Sequence, residues 1–130
     1  MKLPSREAFD EAVAGSLRKW EAGKSQTLET FPEWWYNTGK EPCLLCDFIQ
    51  KNFRNVNCSY MCQICPLNDY DEYKTNTCIR EWSMIHKQMN DDHPDITECL
   101  KFASDLYDRI KNLKYKDFIE LFKEYGGGIK

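Results

Sequence analysis

The segment CLLCDFIQKNFRNVNCSYMCQICP, Cys43 to Pro66, packs five of the chain's seven cysteines into 24 residues. It holds one helix-like piece, LLCDFIQKNF, with Leu45, Phe48, Ile49 and Phe53 on one side, and the rest as far as Cys78 reads as loops and turns. Such a stretch has too few regular apolar positions to offset the backbone entropy of ordering itself, so a crosslink is expected. Two C-x-x-C pairs, Cys43/Cys46 and Cys62/Cys65, are separated by 15 intervening residues, a spacing that suits a four-cysteine zinc site. Each pair turns two thiolates toward one point, and two pairs complete the tetrahedron that zinc favours. In isolated zinc modules metal binding is worth roughly 10 kcal/mol or more at neutral pH, enough to order residues 43–78.

Two further cysteines compete for this site. Cys58 precedes the second pair, and Cys78 stands where loop gives way to helix, so it can replace Cys62 and tie the cluster to a helical body. The expected ligands are Cys43, Cys46, Cys62 and Cys65, with Cys78 as the alternate. An iron-sulfur cluster is the rival cofactor, because CQICP contains the C-x-x-C and Cys-Pro elements of ferredoxin-like loops; the compact C-x2-C-x2-C-x3-C-P run is absent, and zinc is preferred. A thioredoxin-type role is disfavoured, since neither pair follows a strand-like run. A catalytic zinc would need an open position and usually a histidine or carboxylate ligand, and no HExxH motif occurs. Cys99 lies far downstream beside Leu100 and reads as a small buried apolar residue.

Helical periodicity flanks the cysteine segment on both sides. Ser5 is placed to cap a helix through REAFDEAVAGSLRKWEAG, with Phe9, Val13, Leu17 and Trp20 at helical spacing and Gly23 as its stop. Pro32, Gly39 and Pro42 then interrupt SQTLETFPEWWYNTGKEP, a connecting arm with a short helix at PEWW. Its aromatic residues either pack beneath a small domain, the commoner use, or mark a partner site anchored by Trp34, Trp35 and Tyr36. Beyond Cys78, IREWSMIHKQMN places Ile79, Trp82, Ile85, His86 and Met89 on one stripe. Asp95 or Thr97 caps TECLKFASDLYDRIKNL, with Leu100, Ala103, Leu106, Tyr107, Ile110 and Leu113 inside. A last helix in YKDFIELFKEYGGG carries Phe118, Ile119, Leu121 and Phe122 and ends at the glycine run. The expectation is a mainly α fold organised around a cysteine-ligated metal knuckle, with little or no sheet. One domain, 1–130, comprises an N-terminal helix and aromatic arm (1–42), a metal module (43–78) and C-terminal helices (79–130).

Charge and composition narrow the function. The net charge of -3 is evenly spread: residues 1–42 carry six basic and seven acidic side chains, and residues 79–130 carry nine and ten. No region is a polycation, which gives no electrostatic reason for strong nonspecific nucleic-acid binding. Charged residues interrupt the N-terminus too often for a signal peptide, and no run of about 18 apolar residues offers a membrane span. A cytoplasmic location is expected, where thiols stay reduced and a cysteine cluster serves metal binding or chemistry rather than disulfides. His86 sits between apolar residues and reads as a core or boundary histidine rather than a ligand, and His93 as loop. The basic residues of DRIKNLKYK are interleaved with Asp105, Asp108 and Asp117, as on a solvated helix face.

The pattern Trp20, Cys43-x-x-Cys46, Cys62-x-x-Cys65-Pro66, Cys78, Trp82 resembles a loose group of small cysteine-rich proteins of bacteria and their phages, which generally lack an assigned function. The resemblance spans residues 20–82 and is carried by the five cysteines and Pro66. This chain departs from the pattern by a longer insert before the second pair, with Cys58, and by a helical tail from about residue 95. The resemblance implies a metal-binding fold and a mobile-element origin; it supplies no reaction. The functional expectation is a non-enzymatic zinc protein acting by protein contact, with a host factor such as a defence protein as the natural partner and the host-cell cytoplasm as its location. The alternatives are a nucleic-acid-binding module with a basic face from Lys51, Arg54, Lys74 and Arg80, and an iron-sulfur redox or sensor protein.

Overall fold

A computed structural model describes residues 5–41 and 80–121, with the side chain of Leu121 excepted. Its elements are helices α1 (Arg6–Lys24), α2 (Phe31–Trp34), α3 (Arg80–Met89), α4 (Ile96–Lys111) and α5 (Tyr115–Leu121), with a widened turn, Trp35–Gly39, continuing α2. Among the described residues there is no strand. The mainly α expectation holds for these residues. The six cysteines from Cys43 to Cys78 and the expected knuckle lie outside them.

Local sequence accounts for where the long helices begin. Ser5 is extended, and its hydroxyl accepts a hydrogen bond from the Ala8 N–H at 3.1 Å, satisfying one of the donors left over at a helix start. At the head of α4 the cap is Asp95 rather than Thr97, its carboxylate accepting from the Glu98 N–H at 3.1 Å. The same residue's N–H donates to Gln88 Oε1 at 3.1 Å, which fixes the corner between α3 and α4. Thr27 and Thr30 cap one another across the turn after α1: each backbone N–H donates to the other's hydroxyl, at 2.9 and 3.2 Å.

Gly23 does not stop α1. The helix runs through it to Lys24, and Gly23 is buried. Its role is close approach: a Cβ built there would meet Trp34 Cη2 at 2.5 Å and Cζ2 at 2.8 Å. Gly39 abuts the same indole, with a virtual Cβ 2.5 Å from Trp34 Cζ3. The widened turn that Gly39 ends is closed by the Lys40 N–H, which donates to the Trp35 carbonyl, five residues back, at 2.9 Å. Two missing side chains thus make the room that the Trp34 ring occupies.

The core joins both parts of the sequence. Phe9, Trp20, Phe31 and Trp35 cluster with Ile85, Met89, Cys99, Ala103, Leu106, Ile110 and Phe118. Helix α1 packs against α4, and α4 packs against α3 as well. At one end Phe9 stacks on Phe118, centroids 5.5 Å apart, and meets Tyr115 edge-on at 5.6 Å, which docks α5 on α1. Within α4 the innermost stripe is Cys99, Ala103, Leu106 and Ile110; Leu100, Tyr107 and Leu113, expected inside, flank it half-buried. The Tyr107 ring there carries the Lys24 ammonium 3.8 Å above its centroid.

Helix α3 is rotated from its expected stripe. Glu81, Ile85 and Met89 face inward, Trp82 is half-buried, and His86 is exposed rather than in the core. The carboxylate of Glu81 is only 3% exposed and accepts from Nη1 of Arg109 on both oxygens, at 2.7 and 2.6 Å. Arg109 is therefore part of an interhelical ion pair, not of the solvated face that its charged neighbours suggested.

Candidate metal centre and partner surface

The cysteines that spacing nominates as ligands, Cys43, Cys46, Cys62 and Cys65, the alternate Cys78 and the surplus Cys58 all fall outside the described residues. So do Lys51, Arg54 and Lys74 of the alternative basic face. Among the described residues no group of three or more His, Cys, Asp or Glu side chains is arranged to hold a metal. What the structure does describe is the body on either side of the cysteine segment, where the chain leaves at Glu41 and resumes at Arg80.

Both of these points are fastened. The Lys19 ammonium donates to the Glu41 carbonyl at 2.6 Å, holding the end of the arm to α1. Across to α3, the rings of Trp35 and Trp82 lie 5.7 Å apart, and the Tyr36 hydroxyl donates to the Met89 carbonyl at 3.2 Å. One residue beyond Arg80, the Glu81–Arg109 pair locks the head of α3 onto α4. Sequence reasoning missed Glu81 as a buried group; its only signal was the i, i+4, i+8 register that it shares with Ile85 and Met89. Two donors of this region, Trp82 Nε1 and Ser83 Oγ, are buried and have no hydrogen-bond partner among the described residues. The indole of Trp82 is covered on one face by His86, the rings nearly parallel at 17° and 4.9 Å apart.

Cys99 behaves as the sequence suggested. It is fully buried in the core and free of any disulfide. Burial, and then the negative charges of Asp95 and Glu98, push its thiol up to about 11. A thiol so reluctant to ionise is a poor nucleophile and a poor metal ligand.

The three aromatic residues nominated as partner anchors have different surroundings. Trp35 is 2% exposed and belongs to the core. Trp34 is half-buried between Gly23 and Gly39, its ring 5.4 Å from those of Trp20 and Phe31. Only Tyr36 is offered to solvent, at 51%, and with Leu28 at 57% it is one of two exposed large apolar side chains among the described residues. Arg80 of the alternative basic face is exposed at the start of α3.

These features define a helical body with no strand among its described residues and no helix there long and apolar enough to cross a membrane. No family model, curated protein or solved structure matches the chain.

Proposed function

We propose that the chain is a non-enzymatic zinc-binding protein that acts by contact with a protein partner. The observation that carries this reading is the pair of C-x-x-C turns, 15 residues apart, in a segment whose two neighbours are fastened to one helical body. A metal in that segment would offset the entropy of ordering a chain with few regular apolar positions. Trp82 Nε1 and Ser83 Oγ, four and five residues after Cys78, are buried donors with no hydrogen-bond partner among the described residues, of the kind that stabilise a metal-bound thiolate, which supports the cysteine-ligated metal. The ligand spacing suits both zinc and an iron-sulfur cluster, and zinc is preferred as the commoner structural use. The resemblance to cysteine-rich bacterial and phage proteins favours a mobile-element product acting on a host protein, such as a defence factor, in the cytoplasm.

Burial of Trp35 and seating of Trp34 between two glycines shift the proposed contact toward Tyr36. Elemental analysis of anaerobically purified protein tests the metal: one zinc per chain is expected, lost when Cys43 or Cys46 is replaced by serine. A stable protein with no metal and those thiols unligated refutes it; a brown sample with iron and sulfide shifts the reading to a cluster. Capture from host extract, compared between the parent and Tyr36→Ala, tests the contact. Binding that is instead abolished by the Arg54→Glu, Arg80→Glu variant alone, and in the parent by raised salt as well, favours the nucleic-acid reading.

A further inference from the structure

The two described stretches hold each other through contacts that involve none of the cysteines between Cys43 and Cys78. Phe9, Trp20, Phe31 and Trp35 of the first share one core with Ile85, Leu106, Ile110 and Phe118 of the second. Around the points where the chain leaves and resumes, the fasteners are Trp35 on Trp82, Tyr36 on Met89, and Glu81 on Arg109. Helices α1 and α4 start at their own side-chain caps, Ser5 and Asp95. Cys99, the cysteine that these stretches contain, is a buried core residue.

We infer that residues 5–41 and 80–121 form a self-supporting body whose fold does not depend on what the six cysteines hold.

The test uses the full-length chain with Cys43, Cys46, Cys58, Cys62, Cys65 and Cys78 all replaced by serine, and reads amide hydrogen exchange in α1 and α4 against the parent. Exchange in both helices should rise by less than about tenfold. A larger rise overturns the inference, because the body then needs the cysteines. If the variant is insoluble, the same comparison on the parent, stripped with a thiol-directed mercurial and chelator, gives the answer by the same criterion. Metal content of the untreated parent is measured alongside: a metal-free parent sinks the zinc reading, whereas rapid exchange in α1 and α4 sinks the self-supporting body.

Discussion

Replacing Gly23 by alanine should destabilise the protein, although helix propensity alone argues for the opposite sign. In a helix interior alanine is favoured over glycine by roughly 0.8–1.0 kcal/mol, and only part of that applies in a final turn. Against it stands the Trp34 indole, whose Cη2 and Cζ2 lie 2.5 and 2.8 Å from where the new Cβ would sit. The ring cannot simply swing aside, because it packs on Trp20 and Phe31 and its Cζ3 and Cη2 also abut Gly39. Overpacking of this kind costs about 1–3 kcal/mol, leaving a net loss of about 1–2 kcal/mol. For a domain of this size that lowers the thermal midpoint by roughly 4–8 °C, followed by tryptophan fluorescence or circular dichroism. The decisive comparison is a double-mutant cycle with Trp34→Ala. Without the indole, propensity is unopposed and Gly23→Ala should become neutral or stabilising. If Gly23→Ala is no less stable than the parent, or if its cost persists in the Trp34→Ala background, the close-approach explanation is wrong.

The ion pair between α3 and α4 should respond asymmetrically. Arg109→Met leaves the buried Glu81 carboxylate without its donor and should cost about 3 kcal/mol, whereas Glu81→Gln leaves an arginine whose side chain is 32% exposed and can turn to water, at about 1 kcal/mol. Equal losses in urea denaturation would contradict that account. Cys99→Ala should cost on the order of 1 kcal/mol at pH 7 and leave metal stoichiometry intact. At alkaline pH the same variant has a second signature. With the Cys99 thiol raised from 9.0 to about 11 in the folded protein, the unfolded chain loses this proton first, so the thiol's contribution is fully present below pH 9 and is lost as pH rises toward 11. The parent's stability should therefore fall more steeply than that of Cys99→Ala across this window, by a total on the order of 2–3 kcal/mol. Parallel curves would show that Cys99 titrates alike in both states.

Helix identity and helix starts were legible in the sequence because they depend on neighbours within four residues. Ser5 and the run through Trp20 specify α1, and Asp95 with the three- and four-residue recurrence of Ala103, Leu106 and Ile110 specifies α4. The expectation of a metal in the cysteine segment rests on the same local logic, the spacing of its C-x-x-C pairs, and concerns residues outside the described ones. What sequence left open was every choice that depends on a distant residue. Gly23 reads as a helix stop until Trp34 is brought back across it; Arg109 reads as a solvated charge until α3 presents Glu81, 28 positions earlier in the chain. The aromatic arm shows this most directly: Trp34, Trp35 and Tyr36 are consecutive and chemically alike, yet the first is seated between two glycines, the second is in the core and the third is in solvent. Successive residues in a helical turn point about 100° apart. Periodicity therefore fixes their relative directions, and only the packing of α1 and α3 against the turn decides which direction is inward.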